Sequence, residues 1–126
     1  MPQVEKPSVR GPATFPTSFR LAIIADLDQR SMRTVGKKSD WHTIFKTGTL
    51  ARTGATYRME WDEDTVLATS HNEAGRGCEL SELVLYNGKL LSFDDRTGIM
   101  FEVVNYASSA PAAGQPQPML VPRQLY

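Results

Sequence analysis

Two aspartates one residue apart, Asp26 and Asp28, follow the apolar run at residues 21–24. Carboxylates at this spacing can hold a hard cation, attack a phosphate, or accept hydrogen bonds from the amides of a turn. A cation such as Ca²⁺ takes about six to eight oxygen ligands, so most of them would have to come from other parts of the chain. The pair alone therefore leaves three kinds of chemistry open.

The residues after the pair narrow this choice. An apolar strand followed by Asp-x-Asp opens the haloacid-dehalogenase-like phosphatases, where the first aspartate is the nucleophile and the second a general acid or base. That class needs a doubly wound sheet with crossover helices, whereas hairpin signals follow here, so this hypothesis ranks last. An EF-hand loop is excluded because Arg30, Ser31 and Arg33 stand where further oxygen ligands are needed. Turn capping is the simplest interpretation of an isolated Asp-x-Asp.

A second group of polar residues lies in the sequence GRGCELSEL, residues 75–83. Its two glycines permit backbone conformations that other residues avoid, and Arg76 between them can present a planar guanidinium to phosphate. In a strand, Glu79 and Ser81 would lie on one face, because side chains alternate. The alternative is a polar strand edge with an ordinary surface arginine, which composition alone favours.

The elements that must position these groups have the sequence character of β-strands. Asn87 and Gly88 give the strongest hairpin signal, and residues 94–98 predict a second turn. Residues 80–104 therefore predict a three-stranded antiparallel meander, and residues 49–70 predict another. We predict an all-β fold of antiparallel hairpins and meanders, with one helical turn at the start of residues 42–52. The predicted strands are residues 19–24, 47–52, 55–61, 65–70, 79–86 and 99–104.

Composition and charge limit the function classes. The 126 residues carry 14 Lys and Arg against 14 Asp and Glu, so there is no electrostatic case for nucleic acid or an acidic membrane surface as a partner. The single cysteine, Cys78, excludes a disulfide framework and a thiolate metal cluster. No apolar run approaches the roughly 20 residues that span a bilayer. A targeting segment, if the protein uses one, is expected to lie outside this sequence.

The chain is expected to have three regions. Residues 1–18, rich in Pro, Ser and Thr, are predicted to be a disordered or linker arm. Residues 19–106 are predicted to be the folded β region. Residues 107–126, dominated by Ala, Pro, Gln and Ser, are predicted to be a low-complexity disordered tail.

Three stretches together resemble one family: LAIIADLD at residues 21–28, the long stretch at residues 59–103 and, more loosely, DWHTIFKTGTL at residues 40–50. The most specific part of the match is GRGCELSEL at 75–83 followed by NGKLLSFDDRTG at 87–98. Residues 19–104 are similar to the apyrase family of soluble calcium-activated nucleotidases. The resemblance implies a five-bladed β-propeller with Ca²⁺ in its central tunnel, of which this chain would form the first one to two blades. It also implies Ca²⁺-dependent hydrolysis of nucleoside di- and triphosphates such as UDP and GDP. Family members are usually found in the secretory pathway or are secreted, and the sequence itself leaves the compartment unknown.

The resemblance also implies site residues, position by position. Ser81 resembles a calcium ligand. Asp28 matches an acidic residue needed for activity, and Asp26 matches a motif position near the metal and the nucleotide. Glu79 matches another such position, and either Asp28 or Glu79 would be the base that activates water. The residues expected to contact the nucleotide or its phosphates are Arg76, Asp94, Asp95 and Arg96, the last three in the DDRTG motif, whose role could also be structural.

Three functional hypotheses follow. The first is a calcium-dependent apyrase present in truncated form. The second is a non-catalytic β-rich fragment or interaction module, because the remaining calcium ligands of the family come from later blades. The third, well behind, is the aspartate-nucleophile phosphatase. Open blade edges would favour a homodimer or aggregation, since unpaired strand edges take up partner strands.

Overall fold

The structure, a computed structural model, describes residues 17–106 and 113–124. They form nine strands in two antiparallel sheets and one short 3₁₀ helix, Asp28–Ser31. The all-β prediction is confirmed for this part of the chain. In the same residues no helix has the length and apolar character needed to cross a membrane. The strands are β1 Ser18–Ile24, β2 Met32–Val35, β3 Lys38–Thr53, β4 Thr56–Trp61, β5 Thr65–Thr69, β6 Val84–Tyr86, β7 Lys89–Phe93, β8 Met100–Val104 and β9 Met119–Gln124.

The long strand β3 is the centre of the first sheet. Strands β1 and β2 pair with one of its edges, and β4 and β5 pair with the other. Residues 25–31 interrupt the first edge, so Asp26 and Asp28 lie in a loop that leaves the sheet between β1 and β2. The predicted meander at residues 49–70 is instead a hairpin, whose returning strand is interrupted at residues 62–64.

Strand β3 includes the segment for which the sequence predicted a helical turn, and that prediction is wrong. Trp41, Thr43, Phe45 and Thr47 are buried, whereas the residues between them are partly exposed. This period of two is the pattern of a strand with one buried face. Aromatic and β-branched side chains suit such a strand, because they pack well on a pleated surface.

The second sheet contains β6 to β9 in sequential order. The predicted hairpin turn is confirmed, because Asn87 and Gly88 have φ of +50° and +76°, as a type I′ turn requires. The predicted turn after Asp94 is confirmed as well, since the Gly98 amide donates to the Asp94 carbonyl at 2.9 Å. Strands β6, β7 and β8 therefore form the meander that the sequence predicts for residues 80–104.

The first half of the predicted strand at residues 79–86 is not a strand, and β6 begins only at Val84. Cys78 has a φ of +53°, a left-handed conformation that an extended chain does not contain. Leu80 forms only an isolated bridge with Asp94. The segment carrying Glu79 is therefore held by individual bonds to the turn after β7.

The predicted disordered tail, residues 107–126, contains the ninth strand. Strand β9 pairs with β8, and Leu120 is buried in the core, so the prediction is wrong for Met119–Gln124. The local apolar run at residues 119–121 supplies this contact. Pro122 is tolerated because β9 forms the edge of the described sheet. Residues 107–112, 125 and 126 of the tail, and residues 1–16 of the predicted arm, lie outside the described residues.

The hydrophobic core contains side chains of both sheets. Phe45 and Leu67 come from the first sheet, and Phe101 and Leu120 come from the second. Cys78, in the connection between the sheets, is fully buried in the same cluster. The connection is thus fixed to the core at the point where it carries the polar residues singled out by the sequence.

The other face of the first sheet is exposed and largely apolar, with Lys46 over the Trp61 ring among its apolar side chains. Leu21, Gly48 and Trp61 are cross-strand neighbours on this face. The Trp61 ring lies so close to Gly48 that a Cβ there would approach it to 2.8 Å. A sheet that is apolar on both faces has the pattern of one that is covered on both sides. The large exposed side chains of this outer face are Phe19, Leu21, Ile23, Trp61 and Val66.

Candidate active site

The loop between β1 and β2 presents Asp26 and Asp28 to solvent. Its start is fixed to β3, because the hydroxyl of Thr43 donates to the carbonyl of Ala25 at 2.6 Å. The amide of Asp28 donates to Oδ1 of Asp26 at 2.9 Å, so Asp26 does perform the turn-capping role that its position predicts. Asp28 has a φ of +50°, a conformation that Asp tolerates better than most residues. One aspartate therefore shapes the loop, and the carboxylate of the other makes no hydrogen bond within the part of the chain that the structure describes.

The loop between the two sheets brings Arg76 to the same place. Glu73 and Arg76 exchange two backbone hydrogen bonds, of 2.7 Å and 3.0 Å, that close a tight turn. Gly75 within the turn has a φ of +81°, which glycine adopts without strain. Gly77 is required for a different reason, since a Cβ there would lie 2.4 Å from the carbonyl oxygen of His71. Both glycines of the GRG motif thus have structural functions.

Three carboxylates meet where the two loops approach each other. One oxygen from each of Asp26, Asp28 and Glu79 lies within 4.8 Å of the others. Arg76 makes two hydrogen bonds to Glu79, 2.8 Å from Nε and 2.6 Å from Nη2, and Nη2 lies 3.9 Å from Oδ1 of Asp28. The hydrogen bonds to Glu79, with the nearby charges of Asp28 and Asp26, raise the pKa of the Arg76 guanidinium. We call these four residues the acidic cluster.

A polar cavity of about 500 Å³ opens beside the acidic cluster. Asp28 is on its wall with 78% of its side chain exposed, whereas the side chain of Glu79 is only 5% exposed. Arg30 and Arg76 also line this cavity, so its wall carries both guanidinium groups and carboxylates. Such a wall can bind a phosphate on its cationic side and a cation on its anionic side. The lining residues are Asp26, Leu27, Asp28, Gln29, Arg30 and Arg76.

Asp94 is buried below the cluster and bound on both oxygens. Oδ2 accepts hydrogen bonds from the Cys78 amide and the Thr97 hydroxyl, each at 2.8 Å. Oδ1 accepts from the Arg96 amide at 2.9 Å and from the Glu79 amide at 3.4 Å. Asp94 thus joins the loop that carries the cluster to the turn after β7. The phosphate contact predicted for it would require these bonds to break.

The other predicted site residues lie at the margin. Nε of Arg96 is 3.9 Å from Oε2 of Glu79. Asp95 and Arg96 line a second cavity, of about 280 Å³, with Glu73 and Ala74. Ser81 is exposed, and within the described residues no hydrogen bond or ion pair joins Ser81 or Asp95 to the acidic cluster. The structure therefore brings together Asp26, Asp28, Arg76 and Glu79, and the role of Ser81 as a calcium ligand stays a prediction.

The donor set partly fits Ca²⁺. Carboxylate oxygens are the ligands this hard cation prefers, and about six to eight are needed. Each oxygen of Glu79 accepts one hydrogen bond from Arg76 and keeps a second lone pair, but Asp26 and Asp28 are the exposed carboxylates of the cluster. Either of these two could hold the ion, and water, phosphate oxygens or other polypeptide would complete its coordination. The buried Cys78 thiol does not compete as a ligand or nucleophile, because burial and the charge of Asp94 raise its pKa to about 12.

Two residues that contact the cluster loops have no sequence signal of a functional role. The hydroxyl of Ser31 donates to the carbonyl of Gly77 at 2.7 Å, and Nε1 of Trp41 donates to the carbonyl of Gly75 at 3.0 Å. Both bonds end on main-chain atoms of the GRG motif. Such partners depend on how two distant segments pack together, so neither residue type nor spacing indicates them.

The fold and the site define an all-β protein with an arginine and three carboxylates at a polar cavity, a combination suited to phosphate and to a hard cation. Comparison with known proteins narrows this class. The chain belongs to the apyrase family, because the family model described as Apyrase matches residues 27–115. It is 43% identical over 88 residues to "Soluble calcium-activated nucleotidase 1" of Rattus norvegicus, and equally to that of Mus musculus.

An insect relative gives the same result. The chain is 38% identical over 98 residues to "Apyrase" of Phlebotomus duboscqi. This match covers 75% of this chain and 28% of that protein. The match to the rat protein covers 68% of this chain and 21% of the relative. The matches therefore span only 21% to 28% of the length of these curated relatives.

Proposed function

We propose that this chain contributes to the Ca²⁺-dependent hydrolysis of nucleoside di- and triphosphates, such as UDP and GDP. One observation carries the proposal: Asp26, Asp28 and Glu79 lie within 4.8 Å of one another although two separate loops supply them, with Arg76 hydrogen-bonded among them. The rat relative, which is named as a calcium-activated nucleotidase, supports Ca²⁺ and a nucleotide as the ligands.

The residues of the cluster suggest a division of roles. Bound Ca²⁺ would neutralise phosphate charge and orient a water molecule, with Asp26 as one of its ligands. Arg76 would bind a phosphate oxygen, in an orientation fixed by Glu79. Of the two predicted bases, Asp28 is favoured over Glu79, because its carboxylate is exposed beside the cavity and, among the described residues, accepts no hydrogen bond. Asp28 would take the proton from the attacking water.

We also propose that the two sheets are the first blades of a β-propeller. Support comes from the first sheet, whose outer face is apolar and exposed at Leu21, Ile23 and Trp61. Propeller blades pack against a neighbour on each side, so a further blade would cover this face. The four-stranded meander β6 to β9 has the strand number of one blade.

A second candidate is a non-catalytic module, and the coordination count favours it. The cluster offers three carboxylates, and both oxygens of one of them, Glu79, already accept hydrogen bonds from Arg76, whereas Ca²⁺ takes about six to eight oxygen ligands. A chain that binds the ion weakly and positions no water would still fold around the same cluster. The aspartate-nucleophile phosphatase has less support, because the described residues contain no crossover helix between parallel strands.

Phosphate release by the purified chain distinguishes these candidates. UDP hydrolysis that requires Ca²⁺, stops with a chelator and is lost in Asp28→Asn supports the nucleotidase. The matched control is Asp64→Asn, an exposed carboxylate paired with Lys46 outside the cluster, which should keep the wild-type rate. Full activity of Asp28→Asn would refute the assigned base. A well-folded chain that binds Ca²⁺ without turnover identifies the non-catalytic module, and Mg²⁺-dependent release with a trapped aspartyl-phosphate identifies the phosphatase.

A further inference from the structure

The hydroxyl of Ser31 forms a direct connection between the two loops of the acidic cluster. Ser31 ends the 3₁₀ helix that begins at Asp28, and it is buried although most of its neighbours are exposed. Its Oγ donates to the Gly77 carbonyl at 2.7 Å. Its own carbonyl accepts a hydrogen bond from Nδ1 of His42, on β3, at 2.7 Å. The helix is therefore bound to the sheet and to the Arg76 loop through one residue.

The other end of this bond is held in place. Gly77 lies in contact with the main chain at His71, where an added Cβ would approach the carbonyl oxygen to 2.4 Å. The next residue, Cys78, is buried and bonded through its amide to Asp94. Gly77 therefore cannot shift without disturbing the core, and it stands in sequence between Arg76 and Glu79. A bond to Gly77 fixes the helix relative to both of these side chains.

The contacts of Asp28 itself are too weak to set this geometry. Its carboxylate is largely exposed, and its distance to Arg76 is 3.9 Å, longer than a hydrogen bond. Its amide is bonded only within the loop, to Asp26. Within the described residues, the bond from Ser31 to Gly77 is the one hydrogen bond that joins the two loops directly.

We propose that Ser31 is a positioning residue for phosphate hydrolysis, because its hydroxyl holds the Asp28 helix at the separation that lets Asp28 and Arg76 act on one phosphate group. This inference rests on the proposed function. Misplacement of a reacting group by about 1 Å can lower a rate about 100-fold. Loss of a single buried hydrogen bond that fixes such a group can therefore lower kcat strongly.

Two substitutions in the full chain separate positioning from stability. Ser31→Ala removes the hydroxyl, and Ser92→Ala is the matched control, because the Ser92 hydroxyl is also buried and donates to a carbonyl, that of Glu82, at 2.6 Å. Both variants should lower the melting temperature to a similar extent. Only Ser31→Ala should lower kcat for UDP, about 10- to 100-fold with a smaller change in KM, and speed hydrogen exchange at residues 26–31. Ser31→Cys, with similar volume and a weak donor, should recover part of kcat.

The outcomes decide the inference separately from the proposed function. Equal losses of kcat in Ser31→Ala and Ser92→Ala, or unchanged exchange at residues 26–31 in Ser31→Ala, overturn the positioning role. If the wild-type chain releases no phosphate, the proposed hydrolysis by this chain has failed. The affinity for Tb³⁺, measured by tryptophan-sensitised luminescence, then replaces kcat as the quantity compared between the variants. Weaker Tb³⁺ binding in Ser31→Ala alone then supports Ser31 as the residue that assembles the cluster, and equal binding in both variants overturns it.

Discussion

The guanidinium of Arg76 and the carboxylate of Glu79 form two parallel hydrogen bonds, of 2.8 Å and 2.6 Å, at the mouth of the cavity. Glu79 is buried and Arg76 is partly exposed, so the pair has one end in the protein and the other toward solvent. Because both carboxylate oxygens are occupied, Glu79 orients the arginine. Nη2, one of the two nitrogens bonded to Glu79, also lies 3.9 Å from Oδ1 of Asp28.

This geometry predicts that Arg76→Lys lowers kcat/KM for UDP at least about tenfold. Lysine keeps the positive charge but cannot make two parallel bonds to Glu79, so the loss would come from orientation and not from charge. The matched control is Arg58→Lys, whose arginine pairs with Glu60 on an exposed strand surface and should keep the wild-type value. Ca²⁺-dependent phosphate release measures both variants, and a wild-type rate in Arg76→Lys would contradict the role given to the pair.

Local sequence signals predicted the second sheet better than the first. The turns at Asn87 and after Asp94 depend on a few adjacent residues, and both are present. The length of β3 was missed, because its continuous pairing depends on four other strands that lie along its two edges. Strand β9 was missed because Ala, Pro, Gln and Ser dominate the tail that contains it, and only Leu120 of its short apolar run is buried against the core. Burial of that kind depends on the partner sheet and leaves little signal in composition.

In the candidate site, too, local motifs predicted some features, whereas others depend on partners distant in sequence. Asp26, Asp28, Arg76 and Glu79 were predicted from motifs, and the structure brings them together. Their grouping, however, depends on the packing of two loops that are distant in sequence. Burial of Asp94 was not predicted, since an Asp-Asp pair before a turn gives no indication of which carboxylate points inward. Ser31 gives no signal either, because its partner is a carbonyl in the other loop.

Asp94 should be a stability residue, and Asp94→Ala tests this. The substitution leaves the amides of Cys78 and Arg96 without their acceptor, and buried donors of this kind cost about 1–3 kcal/mol each. We expect the free energy of unfolding to fall by about 3 kcal/mol, measured by urea denaturation without nucleotide. Asp95→Ala, at the exposed neighbouring position, should change it by less than about 0.5 kcal/mol. Equal effects of the two substitutions would show that Asp94 does not hold the loop.

Asp62 should make stability depend on pH in the acid range. Hydrogen bonds from Thr47 and Arg20 lower the pKa of Asp62 from its ordinary value of 3.8. The unfolded chain therefore binds the proton more readily than the folded chain, and the free energy of unfolding rises with pH in this range. The contribution is fully present above about pH 5 and is lost as the pH falls below 3.8 through the folded pKa.

Urea denaturation of Asp62→Asn at several pH values checks this sign. The variant should be less stable than wild type near neutral pH, and the difference should shrink as the pH falls below 3.8. Asp64→Asn is the control, since its carboxylate is more exposed and its ion pair with Lys46 is longer, at 3.2 Å. A difference between Asp62→Asn and wild type that stays constant over the acid range would rule out the titration of Asp62 as its cause.

Leu120 should stabilise the whole domain although it lies in a stretch with the composition of a linker. Its side chain is 9% exposed and packs in the core with the second sheet, whereas Met119 on the same strand is 57% exposed. Leu120→Ala should lower the free energy of unfolding by at least about 2 kcal/mol, and Met119→Ala by less than about 1 kcal/mol, because an exposed side chain loses little packing. Chemical denaturation compares the two variants in one buffer. Equal and small effects would show that β9 does not pair with β8 in solution, and the core would then end at Val103.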